Sequence, residues 1–255
     1  MTCKNCGNKY EGNFCNNCGQ KASTKRFDLR GIFNEVLISF INLDKGLIFT
    51  TRQLLFYPGR TIRNYLNGRR IDYTKPFAYL FYLGAVYIIL VNLAGSYTNI
   101  SDSLNGMVDA LSEGESDVNI LLVKTLKWLS RNYVYSLLLI IPFFSLSSYL
   151  SFRKQRFNYS EHLIINSFVI GLQLFLAILL NLLQIPFPER SLTFEILNYT
   201  ILGLGFLTPV WCYYSLFDSY HPVSRLLRTV FTLVVLTILI VILLIVSVGL
   251  AVAFK

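Results

Sequence analysis

A chain of 255 residues that is 54% hydrophobic and only 15% charged, against about 25% charged in soluble domains, holds too little polar sequence to cover a water-soluble core. Composition thus excludes an ordinary soluble enzyme or binding domain and directs the reading to a bilayer. The net charge of +9 is uneven: residues 1–75 hold thirteen of the 23 Lys and Arg but only five of the 14 acidic residues.

The chain opens with Cys3-Lys4-Asn5-Cys6-Gly7 and Cys15-Asn16-Asn17-Cys18-Gly19. Each CxxC turn offers two thiolates, and four thiolates complete the tetrahedral shell that zinc takes in structural sites. Gly7 and Gly19 follow where the chain turns back through a conformation that glycine adopts cheaply. The only large apolar side chains here are Tyr10 and Phe14, so metal bonds are expected to supply the folding free energy of this head, residues 1–22. Structural Zn2+ on Cys3, Cys6, Cys15 and Cys18 is the expected cofactor, and a closed shell of four sulfurs makes it non-catalytic. Iron in a rubredoxin-like site would use the same ligands. Disulfides are the competing reading, natural in small secreted domains. No cleavable leader precedes Cys3, and the charge pattern below places the head in a reducing cytosol. A redox role is disfavoured because no βαβ pattern surrounds the cysteine pairs. The fifth cysteine, Cys212, lies in an apolar run and reads as a packed small residue.

Residues 23–75 form a basic connector. Leu29, Ile32, Phe33, Val36, Leu37 and Phe40 recur at helical spacing, with Asp28 placed to cap that helix. A second helical stretch follows Asp44 and stops at Pro58-Gly59. A third, Thr61 to Leu66, ends at Asn67-Gly68. All are too short and too charged to span. Two positions fit them: in the headgroup plane, basic residues toward anionic lipid, or as a soluble helical hairpin on the inner face of the membrane domain. Basic residues clustered at the membrane edge point away from nucleic acid.

Residues 76–255 read as the membrane domain. Five charge-free apolar stretches approach spanning length: 76–94, 133–152, 163–183, 196–217 and 230–254. The fold class expected is an all-α polytopic membrane protein of about five transmembrane helices with a small N-terminal zinc-ribbon head. Loops alternate in charge. Asp102, Asp109, Glu113, Glu115 and Asp117 follow the first span, and Arg153, Lys154 and Arg156 the second. Glu189, Arg190 and Glu195 follow the third, and Arg225 and Arg228 the fourth. Basic loops face inward, so the N-terminus is expected in the cytosol of a bacterial inner membrane protein and the C-terminus outside. Lys124, Lys127 and Arg131 break the pattern, and Leu121 to Arg131 reads as a short amphipathic helix on the outer surface.

Three stretches carry a resemblance. They are Phe14-Cys15-Asn16-Asn17-Cys18-Gly19-Gln20-Lys21, the run from Tyr57-Pro58-Gly59-Arg60 to Gly68-Arg69-Arg70 with Tyr73 and Pro76 beyond it, and Tyr159-Ser160-Glu161-His162. Together they resemble the bacterial integral membrane family known as domain of unknown function 3667. The resemblance implies a multi-span membrane protein with a zinc-ribbon head and no assigned reaction. The third span has less histidine than the family pattern.

Candidate sites beyond the cysteines are few. Gly59, Arg60, Thr61 and Arg63 place two arginines beside a helix start, an arrangement suited to an anionic headgroup or phosphate; an ordinary turn with snorkelling arginines is the plainer reading. Glu161, His162 and His221 are interfacial titratable groups, with Asp218 a further carboxylate near His221. Asn166, Gln173, Asn181 and Gln184 fall broadly on one face of the third span, as a polar seam or as helix–helix glue. Pro186, Pro188 and Pro209 supply a loop and a kink. No paired acid and base or nucleophile arrangement is visible, so the reading is non-enzymatic. The expected function is a membrane protein whose cytosolic zinc ribbon binds a protein partner as adaptor, sensor or assembly factor. A small-molecule or lipid transporter using the seam of the third span is the alternative.

Overall fold

The computed structural model describes residues 1–24, 26–32, 46–94, 124–129, 132–188 and 191–253. The expected helix face at Phe33, Val36, Leu37 and Phe40, the acidic residues 102–117, Arg131, and the Glu189-Arg190 pair lie outside them. Seven longer helices follow the head: α1 Leu47–Phe56, α2 Pro58–Leu66, α3 Pro76–Ala94, α4 Tyr133–Ser151, α5 Tyr159–Gln184, α6 Leu192–Leu216 and α7 Pro222–Ala253. Leu29 to Ile32 and Lys124 to Leu129 are also helical. Asp28 accepts the Gly31 N–H at 3.0 Å, the expected cap. Among the described residues the fold is all-helical, with only two isolated β-bridges, both in the head.

Helices α4, α5, α6 and α7 are long and apolar enough to cross a membrane. Helix α3 is free of charge, but over Pro76–Val91 it falls short of that length. Three of the observed helices outrun the apolar stretches that announced them. Helix α5 starts at Tyr159 because Asn158 and Glu161 form a reciprocal capping box, each side chain accepting the other's backbone N–H. Helix α6 starts at Leu192 because Ser191 accepts the Phe194 N–H, and α7 runs back through Arg225 and Arg228 to Pro222.

Helix α5 is the axis of the bundle. It carries the deepest burial, including Ile164, Ile165, Phe168 and Leu172, and packs on α3, α4 and α6. Gly171 admits the Tyr79 ring of α3, which would lie 2.5 Å from any Cβ there. The serines of α4 (Ser145, Ser147, Ser148, Ser151) are buried and let helices approach closely.

The connector corrects one boundary. The stretch after Asp44 does stop before Pro58, at Phe56, but the next helix, expected from Thr61, already begins at Pro58; at the first helical position proline's missing N–H is no loss and its φ suits the helix. Helices α1 and α2 pack on the bundle through Leu54, Ile62 and Tyr65, and the Tyr65 ring meets Phe168 of α5 at 5.2 Å. Ile48 and Phe56 of α1, and Tyr57 just after it, are exposed.

Candidate metal centre

The head consists of two copies of one turn. In the first, the Cys3 N–H donates to the Asn8 carbonyl and the Gly7 N–H to that of Cys3; in the second, Cys15 donates to Gln20 and Gly19 to Cys15. Gly7 and Gly19 have φ of +76° and +75°, the left-handed region where other residues are strained. Bridges Thr2–Lys9 and Phe14–Lys21 close the two turns. The turns face each other and bring all four sulfurs within 4.8 Å of one another.

The separations are 3.6 Å for Cys3–Cys18 and 3.7 Å for Cys6–Cys15. A tetrahedron with metal–sulfur bonds of about 2.3 Å has edges of about 3.8 Å, so the donor set fits one tetrahedral ion. None of the four is in a disulfide. The Cys6 N–H holds the Cys3 thiol below its usual range, and the Asn8 N–H draws Cys6 down to about 6. Cys18 is favoured by the Gln20 N–H, yet burial and the adjoining sulfurs push it up to about 12. Four thiolates this close keep their charge only around a cation.

The head is not a free bead. The Gln20 side chain, buried, donates to the Gly68 carbonyl at 2.8 Å and accepts the Arg70 N–H at 3.0 Å. Asn5 donates to Asp72 at 2.9 Å, and Arg69 to the Lys4 carbonyl at 3.2 Å. Both turns thereby grip the 68–72 loop after α2. From there the chain crosses the mouth of the bundle as a strap. Phe27 stacks on Tyr65, under the Arg70 guanidinium at 3.9 Å. Arg26 forks onto both Glu161 oxygens at 2.7 Å, and Asn158 donates to the Phe27 carbonyl at 3.0 Å. The residues that cap α5 are thus the ones that hold the strap.

The turn expected to cradle a phosphate is filled by protein instead. The Gly59 N–H donates to Ser215 Oγ at 3.2 Å, and Arg63 forks onto Asp218 at 2.9 and 2.6 Å while also donating to the Leu216 carbonyl. Arg63 holds the Asp218 carboxyl below the usual range. Thr61 is buried, and Arg60 alone of the four faces outward. Three arginines bind carbonyls around the helix ends on the head's side: Arg63 that of Leu216, Arg225 those of Tyr214 and Asp218, and Arg228 that of Ser151.

The three interfacial titratable residues do not meet as a cluster. Glu161 serves Arg26, and His221 is exposed. His162 is fully buried between Tyr149, Phe157 and Phe217, with Nδ1 2.9 Å from Ser148 Oγ. The polar seam divides in three. Asn166 donates to Ser145 and Ser148 and accepts the Tyr213 hydroxyl, a network joining α4, α5 and α6. Asn181 bonds the Ala177 carbonyl of its own helix, and Gln184 pairs with Asn198 of α6. Gln173 lines a cavity. Cys212 is fully buried, as a packed residue would be. Sequence reasoning missed Arg26, and it marked Asp218 and Gln20 without their partners Arg63 and the 68–70 loop; a contact between residues so far apart in the chain leaves no local signal.

Residues 44–88 match the family described as Protein of unknown function (DUF3667). The match covers α1, α2 and most of α3, including the Tyr57–Arg70 run, and supports the family that this run resembled. The chain matches no curated protein and no solved structure.

Proposed function

We infer that this is a non-enzymatic, multi-pass protein of the bacterial cytoplasmic membrane whose zinc-bound head presents a docking face to a cytosolic protein partner. The carrying observation is the way the head is held. It grips the 68–72 loop through Gln20 and Asn5, which fixes its attitude, while Met1 and a 60% exposed Phe14 stay open for contact. Zinc fits the four thiolates, and when bound it supplies the metal–sulfur bonds that stand in for a core. Cytosolic placement is supported by the charges gathered on the head's side, where Arg26, Arg63, Arg225 and Arg228 all engage helix ends.

The transporter reading has less support, because Asn166, Asn181 and Gln184 spend their amides on protein partners. The test of the adaptor reading is photo-crosslinking in native membranes. A photoreactive residue replacing Phe14 is expected to capture a discrete protein, and the adduct is expected to vanish in Cys15→Ser. Only lipid adducts at position 14, or a protein adduct indifferent to Cys15→Ser, overturn the reading.

A further inference from the structure

A cavity of about 300 Å3 lies inside the membrane domain, walled by α4, α5, α6 and α7. At this cavity α6 is locally thin and interrupted in its hydrogen bonding. Gly205 offers no side chain there, and Pro209, also on the wall, cannot donate to the carbonyl four residues back. The Gly205 carbonyl therefore loses its usual helical donor on the side of the helix that lines the cavity.

None of the lining residues is charged, and most are Leu, Ile or Phe. The polar exceptions are Tyr133, Gln173 and Thr237. Thr237 spends its hydroxyl on the Leu233 carbonyl of its own helix. The Gln173 amide and the Tyr133 phenol both line the wall, and a primary amide offers two donor and two acceptor positions to a ligand. Gln173 Nε2 lies 3.2 Å from where a Cβ of Gly205 would stand. An amide, a phenol and a freed carbonyl are thus grouped in an otherwise apolar chamber. Apolar walls with a few converging polar groups are the composition of sites for small ligands.

Position decides the kind of ligand. On α4 the wall runs from Tyr133 to Phe144, about 16 Å along the helix, from the outer end toward the bilayer centre. The side wall includes Leu202 and Phe206, 50% and 58% exposed on helices read as crossing lipid. Entry is therefore lateral, from the acyl layer, and a charged molecule would find no counter-ion. We propose that this cavity binds an uncharged long-chain amphiphile from the bilayer, its tail among the apolar walls and its hydroxyl or carbonyl on Gln173. The head plays no part in this site.

The full chain in nanodiscs of phosphatidylethanolamine and phosphatidylglycerol provides the test. The probes are hexadecanol and hexadecane, each carrying a diazirine at the same carbon. The alcohol is expected to label α6 between residues 201 and 209 about fivefold more than the alkane, the factor for one hydrogen bond. Gln173→Met keeps the volume and deletes the amide, and is expected to bring the alcohol down to the alkane level. Gly205→Leu fills the chamber and is expected to remove labelling by both. An unchanged melting temperature in detergent checks that each variant has folded, and if Gly205→Leu fails that check, Gln173→Met decides alone. Equal labelling by the two probes in the unaltered protein, or alcohol labelling unchanged by Gln173→Met, overturns the proposal and leaves ordinary surface lipid.

Discussion

A methyl group at position 59 would stand 2.3 Å from the Ser215 carbonyl carbon. Backbone cannot swing aside as a flexible side chain can, so Gly59→Ala must push α2 away from α6. Overpacking of this kind costs about 1–3 kcal/mol. A lower melting temperature in detergent is expected, with outward-facing Arg60→Ala as the unaffected control. At the metal centre, one equivalent of zinc is expected by elemental analysis of the purified protein, and none after Cys15→Ser, because three sulfurs cannot close the shell. The Asp218–Arg63 pair carries a pH signature. Its carboxyl is held below the ordinary aspartate range, so its contribution is complete at neutral pH and disappears only as pH falls through that depressed value. Stability between pH 7 and 5 is therefore expected to be indifferent to this pair, and Asp218→Asn at pH 7 should mimic strong acid. Melting curves of the two proteins from pH 7 down to strong acid check both statements.

Helix α5 joins the strap to the bundle core, and its N-terminal cap is where the two can be separated. Glu161 is 5% exposed and depends on Arg26 for a counter-charge. Arg26→Gln is expected to cost about 1–2 kcal/mol, less than the loss of a partner from a fully buried pair, since Arg26 itself is open to water. Glu161→Gln in the same chain should recover most of that loss, and a double-mutant cycle on melting temperature would reveal the coupling. A cycle with no coupling energy would mean the strap merely rests there. The contrast with the cysteine turns explains what the sequence could tell. Cys3, Cys6, Cys15 and Cys18 act within a few residues of one another, and their chemistry is written in spacing. The spans follow from runs without charge. Arg26 finds Glu161 across 135 residues and Arg63 finds Asp218 across 155, and no spacing records such a meeting. Gly59 and Arg63 read as a phosphate cradle for the same reason, because a helix start flanked by arginines looks alike whether its occupant is an anion or the end of another helix. The polar seam was legible as a set of amides that must be satisfied, but not as three different solutions.

For the molecule as a whole, the arrangement of helix ends makes a topological commitment. The head, the start of α5, the end of α6 and the start of α7 share one side, so reporters fused after Lys75 and after Lys255 are expected on opposite sides of the membrane. Agreement between the two reporters would mean that α7 does not cross as a simple span, or that the head and the start of α7 do not share a side. The same long-range contacts also fix an order of events in time. The cysteine turns are complete by residue 18, and their partners lie within the first 22 residues, so the head can take up its ion as soon as it clears the ribosome. The glutamate that locks the strap does not exist until 135 residues after Arg26 has been made. At usual rates of synthesis that gap lasts on the order of ten seconds. Every newly made chain therefore passes through a stage in which a finished head already holds the 68–72 loop while Arg26 has no carboxylate to fork onto, before the fifth helix arrives and fastens the strap.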